Sequence, residues 1–223
     1  MKYALRLGFT LAEVLITLSI IGVIAAMTLP ALITKVDKSV YVTGLKKSYG
    51  VLSQGVYMIR AENGSVENAL SGIATNDGFA NVFIPKLNVA KNCGIAAGAT
   101  GCYSSQNFIA INGSNTGVNL FNSAYSTAIL TNDGITVGFT ITDATCNSHL
   151  SDEPSNPAYN NCGFIAVDIN GPNKGPNQWG RDIFRFHLTK KGLYPDGSEG
   201  YYECTTEGRG CAYKVLSDGA MNY

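Results

Sequence analysis

Residues 9–32 form a run of about 24 mostly apolar positions that carries a single charged side chain, Glu13. As a helix rising about 1.5 Å per residue, the run spans roughly 36 Å, enough to cross a bilayer. A carboxylate held in the middle of a membrane costs about 2.5–3.5 kcal/mol on insertion scales, so its presence marks a functional position whose partner has to be found. No lysine or arginine lies inside the run. The partner must come from a new amino terminus, from another copy of the chain, or from both.

The flanks of the run are as informative. Lys2 and Arg6 precede it, and the small residue Gly8 sits just before it. An ordinary secretory signal has its small-residue cleavage site after the apolar stretch. A cut between Gly8 and Phe9 would instead discard a basic octapeptide and retain the apolar segment. Basic residues on one side and all six cysteines on the other fit a leader (1–8) in the cytoplasm and a cysteine-bearing domain outside it. Inside the run, Pro30 removes one helical hydrogen bond and loosens or kinks the helix, and Gly22 adds a softer point. Both are tolerated in membrane helices.

Beyond the run, Val36, Val40, Leu45, Tyr49, Leu52, Val56 and Ile59 recur at intervals of three to five residues, with Lys35, Lys38, Lys46, Lys47 and Arg60 on other faces. This periodicity predicts an amphipathic helix with one stripe buried, stopped by Asn63-Gly64. No Gly/Ser/Pro-rich linker separates the two halves, so one helix of about 50 residues is expected. Next come a short helix over 77–87 and a loop over 91–103. Alternating runs 124–130 and 135–141 flank Asn132-Asp133-Gly134, a strong hairpin signal. Two more strands are expected at 163–169 and 182–188, and loops after residue 192. A helix followed by antiparallel strands is an α+β arrangement.

Cys93, Cys102, Cys146, Cys162, Cys204 and Cys211 all follow the apolar run. Six cysteines allow about 15 connectivities. Nearest-neighbour pairing, Cys93–Cys102, Cys146–Cys162 and Cys204–Cys211, would close three short loops without long-range threading. Zinc-type Cys-x-x-Cys or Cys/His spacing is missing, which favours disulfides over metal.

The junction resembles the class III signal of type IV prepilins and type II secretion pseudopilins. The matching residues are Lys2 and Arg6 in the leader, Gly8 as its last residue, Phe9 as the first mature residue, Glu13 as the fifth, and Pro30 within the helix. The resemblance implies cleavage between Gly8 and Phe9 by prepilin peptidase and methylation of the Phe9 amine. It also implies pairing of Glu13 with the amino terminus of a neighbouring subunit. The expected organisation is a leader (1–8), a transmembrane and assembly helix (9–32), its amphipathic continuation (33–63) and a globular extracytoplasmic head (64–223) with a pilin-like fold. Implied partners are the peptidase, other pilin or pseudopilin subunits and an inner-membrane assembly platform. The implied role is a structural subunit of a secretion pseudopilus or a type IV pilus, located in the bacterial inner membrane and then in the filament. The alternative is a minor or tip subunit that binds a secreted substrate, a surface or DNA.

Candidate chemistry is sparse. Asp168, Asn170, Asn173 and Asp182 offer oxygens of the kind hard cations take, and Trp179-Gly180 resembles the step near the calcium loop of major pseudopilins. The full spacing of a calcium hand is absent, so a structural calcium competes with a plain Asn/Gly/Pro turn; no other cofactor is implied. Neither His149 nor His187 accompanies a local nucleophile or ligand motif, and both read as surface or packing residues. The absence of a nucleophile elbow, a Walker loop or a His-Glu-x-x-His motif argues against an enzyme. Zero formal net charge and 14% charged residues give no electrostatic footprint for nucleic acid. Asn63-Gly64-Ser65 and Asn112-Gly113-Ser114 read as turns.

Overall fold

A computed structural model describes residues 8–95, 101–104, 106–121, 126–198, 200 and 203–223. Contacts divide the chain into two compact units, 1–39 and 40–223. A helix, α1 (Leu11–Asn63), runs through the boundary and contains Pro30.

Over Leu11–Pro30 α1 is apolar nearly all round, and every side chain but the half-buried Ala25 is exposed. Leu11–Pro30 is long and apolar enough to cross a membrane. A helix that is hydrophobic on every face needs a non-aqueous surrounding or a partner.

In the second unit α1 becomes amphipathic. Val42, Leu45, Leu52, Val56 and Ile59 are buried at three-, four- and seven-residue steps, and Gly64 in the left-handed region ends the helix with its N–H on the Arg60 carbonyl at 2.8 Å. Two short helices follow, α2 (Val66–Leu70) and α3 (Asn76–Phe83). Ser65 and Thr75 cap them through side-chain oxygens.

Among the described residues six strands form one antiparallel meander: β1 (Val89–Gly94), β2 (Thr127–Thr131), β3 (Thr136–Ile141), β4 (Asn161–Asp168), β5 (Ile183–Thr189) and β6 (Leu193–Pro195). A last helix, α4 (Cys211–Asp218), closes at Gly219. The expected helix over 77–87 is α3 plus a 3-10 turn at Ile84–Lys86. Part of the loop expected over 91–103 is instead the edge strand β1. The expected loops after 192 contain β6 and α4. The first residues of the expected strand 124–130 lie outside the described set.

Register explains the layering. Ile129, Val137, Val167 and Phe184 align across the sheet, as do Phe139, Ile165 and Phe186. Both rows join the α1 stripe in the main core. The opposite face carries Ala128, Gly138, Ala166 and Arg185. That face is covered rather than wet: Phe108, Phe121, Trp179 and Ile183 build a second apolar cluster on it. Both sheet edges are blunted. β1 has two register irregularities and carries Lys91, while β6 is three residues long and ends on Pro195. Such edges discourage strand addition by another chain.

Candidate functional sites

At the start of α1, Gly8, Phe9 and Thr10 are exposed and irregular. Thr10 and Glu13 form a capping box. The Thr10 hydroxyl oxygen accepts the Glu13 N–H at 3.2 Å, and Glu13 Oε2 accepts the Thr10 N–H and hydroxyl, each at 2.8 Å. Two helix-start donors are satisfied reciprocally. Both bonds to the carboxylate fall on Oε2; among the described residues Oε1 has no partner. The lone carboxylate is thus held in place through one of its two oxygens. Thr10 did not figure among the residues singled out from sequence, although Thr-x-x-Glu ahead of an apolar run is itself a capping-box signature.

The second site is the turn between β4 and β5. Asp168 ends β4 and Asp182 precedes β5; both are buried. Asp168 Oδ1 accepts the backbone N–H groups of Asn170 (3.2 Å) and Gly171 (3.0 Å). Asp182 accepts those of Gln178 (2.6 Å) and Asn177 (2.9 Å) and the side-chain amide of Asn170 (3.2 Å). Asn170 Nδ2 also donates to the Gly175 carbonyl at 3.0 Å, while Asn170 Oδ1 is buried without a hydrogen-bond partner. Burial, and then the Asp182 charge, push the Asp168 carboxyl up to about 7. Burial likewise raises Asp182. Two buried carboxylates and an orphaned amide oxygen are oxygens of the kind a hard cation takes, although Asn170 presents its amide nitrogen to Asp182. Asn173 is exposed and does not join this hydrogen-bonded group. Among the described residues no group of three His, Cys, Asp or Glu side chains is placed to hold a metal ion.

Six cysteines pair as Cys93–Cys102, Cys146–Cys162 and Cys204–Cys211. Gly22 and Pro30 lie within the exposed apolar part of α1. His149 is exposed and stacks on Tyr159. His187 is fully buried, with Nε2 2.6 Å from Asp196 Oδ1, and Arg185 Nε pairs with the other oxygen of the same carboxylate. The Arg185 guanidinium also lies over the Phe164 ring at 4.5 Å. Burial pushes the Asp196 carboxyl up, but the charges of Arg185 and His187 outweigh it and leave Asp196 below the ordinary range. A strand position facing away from the main core gave no sequence sign of this buried network.

A long apolar helix leading into an antiparallel sheet with three disulfides defines a pilin-like α+β protein. The amino-terminal sequence says the same independently: residues 5–29 match the prokaryotic N-terminal methylation motif. This is the prepilin-type cleavage and methylation signal of the type IV pilin and pseudopilin superfamily, whose members are generally structural rather than enzymatic. Neither a curated protein nor a solved structure matches the chain.

Proposed function

We propose that this chain is a structural subunit of a type II secretion pseudopilus or a type IV pilus. Prepilin peptidase cuts between Gly8 and Phe9 and the Phe9 amine is methylated. The subunit waits in the inner membrane with its head outside the cytoplasm. It then joins a filament through the helix at 9–32, on an assembly platform in that membrane. The observation that carries this reading is the exposed, charge-poor helix whose only carboxylate is fixed by Thr10 within the matched motif.

The physics of assembly follows. A carboxylate in low dielectric is strongly favoured by a nearby cation, and an unpaired buried charge is costly. An incoming subunit that places its Phe9 ammonium on Glu13 supplies the missing charge and sets the register. The contact joins different patches on the two copies, so it does not close and gives an open filament. The blunted edges of the sheet support assembly through helices rather than strands. Glu13→Ala tests the pairing: cleavage should persist while filament incorporation fails, and normal incorporation would overturn it.

Calcium is proposed as a structural ion at the β4–β5 turn, bound by Asp168, Asp182 and the Asn170 amide oxygen. Its charge would relieve the repulsion between two buried carboxylates and brace the turn. Calorimetric titration should find one site that Asp168→Asn abolishes; no heat above that of the variant would overturn it.

A further inference from the structure

The head leaves one face of the second half of α1 bare. Val40, Val51 and Tyr57 are 59%, 42% and 74% exposed. With Lys46, Lys47 and Gly50 they fall within roughly 140° of arc at 3.6 residues per turn. Glycine inside a helix is weaker than alanine. Gly44 is explained by Ile169, whose Cβ would lie 3.4 Å from an added Cβ, and Gly55 by Phe83, Lys86 and Leu87. A Cβ on Gly50 would meet nothing within 4 Å, so nothing among the described residues accounts for it.

This face is basic and opens on a crevice. From residue 40 to 61 α1 carries Lys46, Lys47 and Arg60 and no acidic side chain. Beside Lys47 and Val51, a crevice of about 260 Å³ is lined by Leu52, Leu87, Ile135 and Val137. Lys47 pairs with Asp133 at 2.5 Å, but the pair is open to solvent and contributes little. Lys46 enters no ion pair among the described residues.

A complementary surface lies on the Cys146–Cys162 loop. Between its cysteines are Asp152 and Glu153 and no lysine or arginine. Both acids are exposed, as is Pro154 after them, and neither enters an ion pair among the described residues. The loop is preformed. The disulfide ties its ends, the Glu153 carbonyl accepts the Asn156 N–H at 2.9 Å, and His149 stacks on Tyr159. A preformed loop gives up little freedom on binding.

The two surfaces lie toward opposite ends of one head. Lys47 sits at the β2–β3 turn, on Asp133. The loop sits where β4 starts and β5 finishes, and there Arg60 donates to the Lys191 carbonyl at 3.0 Å. The helix between Lys47 and Arg60 is about 20 Å long. A contact between opposite ends of two copies is heterologous and does not close, as a filament requires.

We propose that the Cys146–Cys162 loop of one copy docks on the α1 face of the next, with Asp152 and Glu153 against Lys46 and Lys47 and Pro154 in the crevice beside Val51. The occupant is a second copy of this chain, and the contact rests on the filament reading above. Lys47 is then shared between Asp133 and the incoming acids, and Gly50 lets the loop backbone approach the helix.

The test uses cells that assemble the full chain into filaments and reads the filament fraction of processed subunits. Asp152→Lys/Glu153→Lys should lower that fraction at least about tenfold, and so should Lys46→Glu/Lys47→Glu, because like charges then face each other. All four changes in one chain restore opposite charges and should recover most of the loss. Gly50→Leu should lower incorporation too, while the unassembled chain in detergent melts at the parent's temperature or above it. Normal incorporation of either charge-reversed pair, or of Gly50→Leu, would overturn the contact and leave the filament reading standing. Loss without recovery in the fourfold variant would overturn a second copy as the occupant. A parent chain absent from filaments would remove the filament reading and this contact together.

Discussion

Replacing Asp168 by asparagine should stabilise the calcium-free protein at pH 8 while abolishing its response to calcium. Burial, and then the Asp182 charge, lift the Asp168 carboxyl from 3.8 to about 7. Each tenfold change in a proton equilibrium is worth about 1.4 kcal/mol, so the gap amounts to about 4 kcal/mol. The sign follows from the direction. The folded protein holds this proton more tightly than the unfolded chain, so the contribution is fully present below about pH 4 and is lost as pH rises through about 7. Asp182, raised by burial, acts in the same sense. Without calcium the parent should therefore unfold more easily at pH 8 than at pH 5. Asparagine keeps the shape and an acceptor oxygen for the N–H groups of Asn170 and Gly171 but carries no charge. In chelator at pH 8 it should raise the melting temperature by about 10 °C, taking about 2–4 °C per kcal/mol for a domain of this size. Its melting temperature should also change less between pH 5 and 8 than that of the parent, the remainder coming from Asp182. Calcium should raise the melting temperature of the parent, more at pH 8 than at pH 5, and leave the variant unmoved. The assay is thermal unfolding of the mature chain in detergent, followed by near-UV circular dichroism in chelator and in calcium. A parent equally stable at pH 5 and pH 8 in chelator, or a variant less stable than the parent at pH 8, would refute the reasoning.

Three further perturbations probe other parts of the molecule. Leu45→Ala opens a cavity where the α1 stripe meets the main core and should cost about 2–5 kcal/mol by denaturant titration. Asp196→Ala strands Arg185 and His187 without their shared carboxylate and should cost about 3–5 kcal/mol, more than most single changes in this chain. Thr10→Val removes the capping hydroxyl at the head of α1, about 1 kcal/mol; subunits carrying it should be cleaved normally and enter filaments less efficiently, as read by the ratio of membrane to filament pools.

The long helix and the central hairpin were legible because their side-chain periods are clean. Val42 to Ile59 repeats with the helical period, and β2 and β3 flank an Asn-Asp-Gly turn. β1 left no such trace: Val-Ala-Lys-Asn-Cys-Gly alternates nothing, because a bulged edge strand buries little. The second apolar layer was hidden for a different reason. Phe108, Phe121 and Trp179 come from irregular segments with no period, and only the folded chain lays them on the Ala128–Gly138–Ala166 side of the sheet. Arg185 and His187 sit at positions that a period of two assigns to water, so their burial with Asp196 depends on that cover and on residues far along the chain. At the candidate sites, composition pointed to Asp168, Asn170 and Asp182, yet Asn173 is exposed and stands apart from their hydrogen bonds. At the helix start, Glu13 was conspicuous as a lone charge, whereas its bond to Thr10 is a local contact within one helical turn, visible only as a Thr-x-x-Glu step.

The central claim is that the chain works as a processed filament subunit whose new amino terminus meets Glu13 of a neighbour. Intact-mass and amino-terminal peptide analysis of the protein recovered from filaments tests it most directly. The account predicts a chain that begins at Phe9 and carries one methyl group on its amine. Filament material that still begins at Met1 would contradict it.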